Sequence, residues 1–449
     1  MTIKNIIVMR KIFAILTVLL IASCTKSHDE VVVIQNHIGT KKTTFVSLEE
    51  ATNSVNTFIA GVDLPTRSGG KRQIAEVITL GGFGESRANE CEKDAPLVYL
   101  FNFDKKEGFA LVAGDSRVGD IIAFVEEGNL DPNAGIDNPG FTIFLEMADA
   151  YYRIKTGLPL DGEIHKHYLK TRSGDDPWED YDPDIDADYV EYSDWFKIEG
   201  SDTGDILPCK WDQDYPLNRY CVTSDGYAAM VGCVAIAVGQ IMYYHAHDYT
   251  YNGTNYDWDV ISGYIKSNNY TYAGLDMAAR LVADLGRTEN LDMDYGVEAS
   301  GAYSSNVPRT FANFGYSSSG TVSTTLGPNI VNGPVFICGS RLAASSDPSN
   351  TLGIYSVGGS TYSGHAWIID ASMRQRRYIY TYLYNGILAK TEYEDRTLYH
   401  CNWGWGGSAD GYFLGDVFKI NECVIPDTTI PNVIWHYNRD NTYIRNIHA

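Results

Sequence analysis

Four side chains between residues 213 and 402 of this sequence have the types that acyl transfer at sulfur requires: Gln213, Cys233, His365 and Asn402. Cys233 opens the run V-G-C-V-A-I-A-V-G-Q-I-M-Y-Y-H, Val231 to His245, which is apolar on nearly every side. A helix without a polar face must be buried all round. Gly232 lets the backbone turn into that helix and serves as its N-cap. Cys233 then lies in the first turn, where unpaired N–H groups and the helix dipole favour negative charge. Thiols in such settings have pKa values of roughly 3.5–7.5, and the thiolate is the nucleophile. The plain alternative is an inert cysteine on a core helix. A base and a group that orients it decide between the two.

Of ten histidines, His245 shares the helix and lies ~18 Å from Cys233 along it at 1.5 Å per residue, too far to act, and His247 fails likewise. His365, in S-G-H-A-W-I-I-D, stands between a glycine-rich loop and an apolar strand, where a side chain can face a cleft from a held backbone. His400 competes from the end of another strand. Within H-C-N-W-G-W-G-G-S-A-D-G-Y-F (His400–Phe413), Asn402 can accept an imidazole N–H, and Trp403 can cover that bond. Two residues along a strand, His400 shares the face of Asn402 but points away from the helix, which favours His365. By itself W-G-W-G-G also reads as a tryptophan-rich turn. Gln213, in C-K-W-D-Q-D-Y-P, offers an amide that with the Cys233 N–H makes a two-donor oxyanion hole, although an exposed loop glutamine is an equally simple reading.

These residues need a helix followed by a sheet. Leu275–Leu285 and Val307–Phe314 read as further helices; Pro334–Cys338, Ala366–Ala371, Arg377–Leu383 and Leu398–Trp403 read as strands. Upstream, Phe45–Gly157 reads as a compact α+β domain. Ser47-Leu48-Glu49-Glu50 is a capping box opening a helix through Ile59. Strands Pro96–Phe103 and Gly108–Ala113 form a hairpin around Asp104–Glu107, Ile121–Glu126 is another strand, and Phe141–Ile154 is an amphipathic helix. Residues 171–206 are acidic with few aliphatics and read as an exposed linker, with Arg172 an accessible place to cut.

Met9-Arg10-Lys11, the apolar run Ile12–Ala22 and Ile21-Ala22-Ser23-Cys24 read as an export signal ending in a lipobox, with Cys24 the lipidation site and Met9 a better start than Met1. The run is too short for a membrane span. Export permits disulfides, and Cys209 and Cys221 bracket a loop short enough to pair. No C-x-x-C occurs among the eight cysteines, which disfavours zinc. A net charge of −22 argues against a nucleic-acid partner. The organisation is a signal peptide over 1–23, a tether over 24–44, a prodomain over 45–157, a linker over 158–206 and a catalytic domain over 207–449.

The chain resembles the streptopain family of papain-like cysteine peptidases. The words W-D-Q-x-Y-P-x-N, G-C-V-A-x-A-x-x-Q-I-M-x-Y-H, G-H-A-W-x-I-D and N-W-G-W-G-G-x-x-D-G-Y-F carry the likeness in order and spacing over about Trp195–Phe418. Tyr295-Gly296 and Phe314-Gly315-Tyr316 also fit. Phe109–Arg117, F-A-L-V-A-G-D-S-R, is similar to the family's inhibitory propeptide. The resemblance implies an α+β fold: a papain-like domain whose helical part carries the nucleophile and whose antiparallel sheet carries the base, behind a small α+β prodomain. It makes Cys233 the nucleophile, His365 the base, Asn402 its orienter, Trp403 the cover and Gln213 the oxyanion donor. Ser300, Gly301, Ala302 and Gly364 are candidates for the substrate pocket. It implies protein or peptide substrates, the prodomain as intramolecular inhibitor, an activating protease as a possible partner, and no metal or organic cofactor. The membrane enters only through lipidated Cys24, before release of a periplasmic or extracellular enzyme from the outer membrane. Extra cysteines and a long Ala343–Gly364 insertion depart from the family. An exported Cys/His cell-wall peptidase and a non-catalytic adhesin or inhibitor are the rival readings.

Overall fold

The computed structural model of the chain describes residues 44–62, 69–81, 97–158, 187–204, 206–261, 271–320, 330, 333–340, 364–383, 386–418, 442–444 and 446–448. Cys24, Arg172 and most of the Ala343–Gly364 loop fall outside them.

Ser47 caps helix α1 (Leu48–Gly61) through the reciprocal bonds of a capping box, as its sequence predicts. Strand β1 (Ile74–Leu80) pairs with β2 (Val98–Phe103), and β2 pairs with β3 (Phe109–Ala113) in the expected hairpin. Strand β4 (Ile121–Val125) completes a meander. Asn138 caps helix α2 (Pro139–Thr156), whose Pro139 suits the first turn and whose Gly157 closes it in the left-handed region. The helix that carries the candidate nucleophile, α3, spans Cys233–His245 and buries every side from Val234 to Met242. Helices α4 (Tyr272–Leu285) and α5 (Val307–Asn313) pack near it, and the short strands β8 (Thr250–Tyr251) and β9 (Thr254–Asn255) pair with each other.

Two expected strands merge. The apolar run after His365 and the Arg/Tyr run after it form one strand, β11 (Gly364–Leu383), which pairs antiparallel with β12 (Leu388–Asn402). The register shifts between Ile369 and Ala371. At that irregularity Asp370 is fully buried; it accepts from the Leu207 N–H at 2.7 Å. Strand β10 (Val335–Ser340) lies on the other side of β11, and β13 (Gly411–Leu414) lies beyond β12.

Two expectations are corrected. Residues 171–206 are not exposed throughout: β5 (Ala187–Tyr192), β6 (Phe196–Lys197) and β7 (Thr203–Gly204) all pair with β11. Trp195 anchors this stretch, buried between the guanidinium groups of Arg377 and Arg396 at 4.7 and 4.2 Å. The upstream domain is not a separate body either. Strand β4 pairs with β13, so a single sheet runs β1-β2-β3-β4-β13-β12-β11-β10 from one domain into the other. One core cluster likewise joins Phe141, Phe144 and Met147 of α2 to Trp367, Trp403, Phe413 and Phe418. Phe144 meets Phe413 edge-on at 4.7 Å between ring centroids.

Candidate active site

The sheet around His365 has two working faces. Alternation along β11 sends Ala366 and Ile368 into the core beneath α3, while Trp367 and Ile369 enter the core shared with α2. Cys233 packs against the first core. Its Sγ accepts the Ala366 N–H at 3.3 Å. Gly232 at its N-cap has φ +91°, and a Cβ there would meet the Met293 side chain at 2.3 Å and the Ser300 backbone at 3.0 Å. Ser300 thus lies beside the nucleophile, its Oγ donating to Met230 O at 2.6 Å, and Gly301 forms a bridge with Asp294.

The His365 ring turns the other way. It stacks near Trp367, with centroids 6.3 Å apart, and its Nε2–H donates to Trp403 O at 2.8 Å. Gly140 of α2 covers it: a Cβ at that position would stand 2.5 Å from Trp403 Cε3 and 2.6 Å from His365 Cδ2. No residue but glycine fits there without moving the ring. Buried under this cover, His365 has its pKa lowered to about 4, because desolvation disfavours the imidazolium and the Trp403 carbonyl offsets only part of it. Burial likewise raises Cys233 to about 11, against the smaller opposing effect of the Ala366 N–H. This reverses the expectation of an acidic thiol: desolvation outweighs the helix terminus. At neutral pH both groups are uncharged.

Asn402 does not hold His365 in this state. Its Oδ1 accepts from Gln240 Nε2 at 3.1 Å and from the Gly404 N–H at 3.0 Å, and its Nδ2 donates to Cys209 O at 3.0 Å. Trp403 Nε1 donates to Ala409 O at 2.9 Å, and its backbone N–H to buried Asp410 at 3.0 Å. Gln213 is buried rather than exposed, and its carbonyl accepts the Val231 N–H at 2.8 Å, two residues before Cys233. Gly364, at the start of β11, is exposed and pairs with Ser340. Cys209 and Cys221 are free thiols, not a disulfide. The Cys209 thiol instead donates to Gln240 Oε1 at 3.5 Å.

His400, the competing base, is engaged elsewhere. Its Nδ1 faces Asp370 at 2.6 Å and its Nε2 faces Glu126 at 3.4 Å. Burial opposes its charge, but the two carboxylates outweigh burial and hold its pKa well above the ordinary value. Glu126 follows β4, so this contact crosses from the upstream domain. Lys210–Glu127 at 2.9 Å, Arg396–Asp120 at 2.5 Å and Asn138 Nδ2 to Ser408 O at 2.6 Å cross at the same boundary. Sequence reasoning missed Gly140, Glu126 and Gln240. Of these Gln240 had a signal, as the single amide in an otherwise apolar helix.

A helix-borne thiol, a strand-borne imidazole and an upstream domain lying on that imidazole define a thiol peptidase packed against its own inhibitor-like segment. Residues 211–413 match the Peptidase C10 family, and residues 43–152 match the Spi protease inhibitor family. Residues 211–413 thus carry a Peptidase C10 (streptopain-type) cysteine peptidase domain, with a Spi-type inhibitor domain in front of it. Streptopain of Streptococcus pyogenes serotype M1 is 26% identical over 401 residues, covering 83% of this chain and 85% of that protein. The thiol protease/hemagglutinin PrtT of Porphyromonas gingivalis is 25% identical over 351 residues, covering 72% of this chain and 34% of that one. Among solved structures, a fragment of Prevotella intermedia prointerpain A aligns with a TM-score of 0.47 at 18% identity, covering 78% of this chain and 96% of that one.

Proposed function

We propose that the chain is exported as the latent zymogen of a cysteine endopeptidase, kept latent by the hold of its prodomain on His365. One observation carries this reading: the imidazole is bonded to Trp403 O beneath Gly140 while Cys233 sits uncharged across the strand. Withdrawal of residues 45–157 frees the ring to turn toward Cys233. The proton then passes from sulfur to imidazole. The thiolate attacks the peptide carbonyl carbon, forming the C–S bond. The Cys233 N–H and the Gln213 amide hold the oxyanion. His365 returns the proton to the departing amine, then takes one from the water that hydrolyses the thioester. Asn402 accepts the other ring N–H, with Trp403 covering that bond. Ser300, Gly301, Ala302 and Gly364 line the cleft for the substrate chain.

The pairing of β5, β6 and β7 with β11 supports an activating cut before Ala187, within 158–186, and Arg172 is the preferred bond. With Cys24 lipidated, the cut leaves the lipid on the prodomain and releases the enzyme from the outer membrane. The test is casein hydrolysis by the full-length protein before and after limited trypsin treatment, with N-terminal sequencing of the active form. Activity should appear only with the cut, at a new N-terminus in 159–187. Full activity of the uncut chain, or a lipidated, membrane-bound mature enzyme, contradicts the proposal.

A further inference from the structure

A fully buried glutamine on an apolar helix must have its amide satisfied. Gln240 does so with two segments distant from it in sequence. It lies seven residues after Cys233, two turns on and on the same side of α3. Its Oε1 accepts the Trp211 N–H at 3.0 Å, two residues before Gln213. The same oxygen faces Asn402 Nδ2 at 3.4 Å, and its Nε2 donates to Asn402 Oδ1 at 3.1 Å. These bonds fix the direction of both amides. A reversed Gln240 would turn its NH2 on the Trp211 N–H, and a reversed Asn402 would do the same to the Gly404 N–H.

We infer that Gln240 is a positioning residue: it clamps Asn402 and the loop carrying Gln213 to the nucleophile helix, so that His365 meets a preset acceptor when it turns. The inference rests on Asn402 orienting the base, as proposed above. Asn402 Oδ1 already takes two donors, so the imidazole N–H arrives as a third. Gln240 therefore also sets how readily that oxygen accepts it. None of these bonds involves the prodomain, so the clamp stands in the latent chain and persists after the cut.

The test uses the full-length protein after the activating cut. Gln240→Met, close in volume but without hydrogen bonds, should lower kcat 10- to 100-fold with KM within about twofold, the usual scale for outer partners of a reacting group. Combined with Asn402→Ala it should cost no more than Asn402→Ala alone, because both act on one interaction. Gln240→Glu gives a second readout should the methionine variant fail to fold. When protonated, the introduced carboxyl supplies both a donor and an acceptor; when ionised, it lacks the donor and repels Asn402 Oδ1. Its kcat should approach that of the parent at acid pH and fall as pH rises, moving the alkaline limb to lower pH. A residue that merely fills the core would lower Tm, leave the pH profile unmoved, and multiply its cost with that of Asn402→Ala; any of the last two results overturns the inference. Impaired Asn402→Ala beside unimpaired Gln240→Met overturns it alone, whereas full turnover by Asn402→Ala removes the orienting role on which it rests.

Discussion

The surroundings of Cys233 and of His365 differ in who supplies them. Around Cys233, among the described residues, the neighbours come from the catalytic half: the Ala366 N–H on its sulfur, and Met293 and Ser300 against Gly232 beside it. Around His365 the catalytic half supplies Trp367 and the Trp403 carbonyl, but Gly140 of the prodomain closes the space. On the proposed reading, the nucleophile, its loop and the orienter are already assembled and a single ring is out of place. Latency of that kind needs no unfolding of the site. It needs only a neighbour packed on the ring where it stands.

The sharpest way to break the comparison is to remove each partner. Cys233→Ser and His365→Ala should each cost more than about 10⁴-fold in peptidase activity of the cut enzyme, in line with other triad removals, with folding intact. His400→Ala should keep substantial activity, because that imidazole serves Asp370 and Glu126 instead. A dead His400→Ala beside an active His365→Ala reverses the assignment.

Thiol reactivity gives the next largest effect. With Cys233 raised to about 11 in the latent chain, only about 10⁻⁴ of the thiol is ionised at pH 7. Alkylation by iodoacetamide should therefore rise about tenfold per pH unit toward 11 in the uncut chain. After the cut it should be at least about 100-fold faster at pH 7 and nearly independent of pH above neutrality. Equal rates before and after cutting would show that the prodomain does not govern the thiol.

The smallest effect tests the seam between the domains. Glu126 is held below its ordinary value of 4.5: burial raises it, but His400 and other cations prevail. Its contribution is present above 4.5 and is lost as pH falls through the lowered value. His400 is held above its ordinary 6.5 first by Asp370 and then by Glu126, so its contribution to folding is complete below 6.5 and is lost as pH rises through the raised value, and the Glu126 part of it belongs to the seam. The prodomain should grip hardest between these limits and loosen beyond either end. Resistance of the uncut chain to trypsin, measured against pH, should show that plateau, and Glu126→Gln should flatten it.

Much of the molecule was legible without coordinates, and the reasons are local. The capping box at Ser47, the amphipathic run of α2 and the all-apolar α3 follow from propensity and backbone chemistry. The motif words also singled out Gln213, Cys233, His365, Asn402 and Trp403, because residue type restricts what chemistry a side chain can do. Other features depend on packing between segments distant in sequence. Cys209 and Cys221 suggested a bridge by spacing, yet both are buried free thiols. The acidity of 171–206 suggested a solvated strand-free linker, yet Trp195 finds two guanidinium partners from β11 and β12.

The tertiary structure alone decided how the two halves meet and which state the site is in. A short continuous apolar run marks Ile121–Val125 as a strand but cannot say that β13 is its neighbour, since any strand edge offers the same N–H and C=O groups. A helix N-terminus favours a thiolate, but whether water reaches the sulfur depends on what covers it, and here desolvation prevails. Gly140 is one of 42 glycines in the sequence, with nothing in its neighbours to mark it. Its role comes from the 2.6 Å between its missing Cβ and His365, a distance that exists only once the chain has folded.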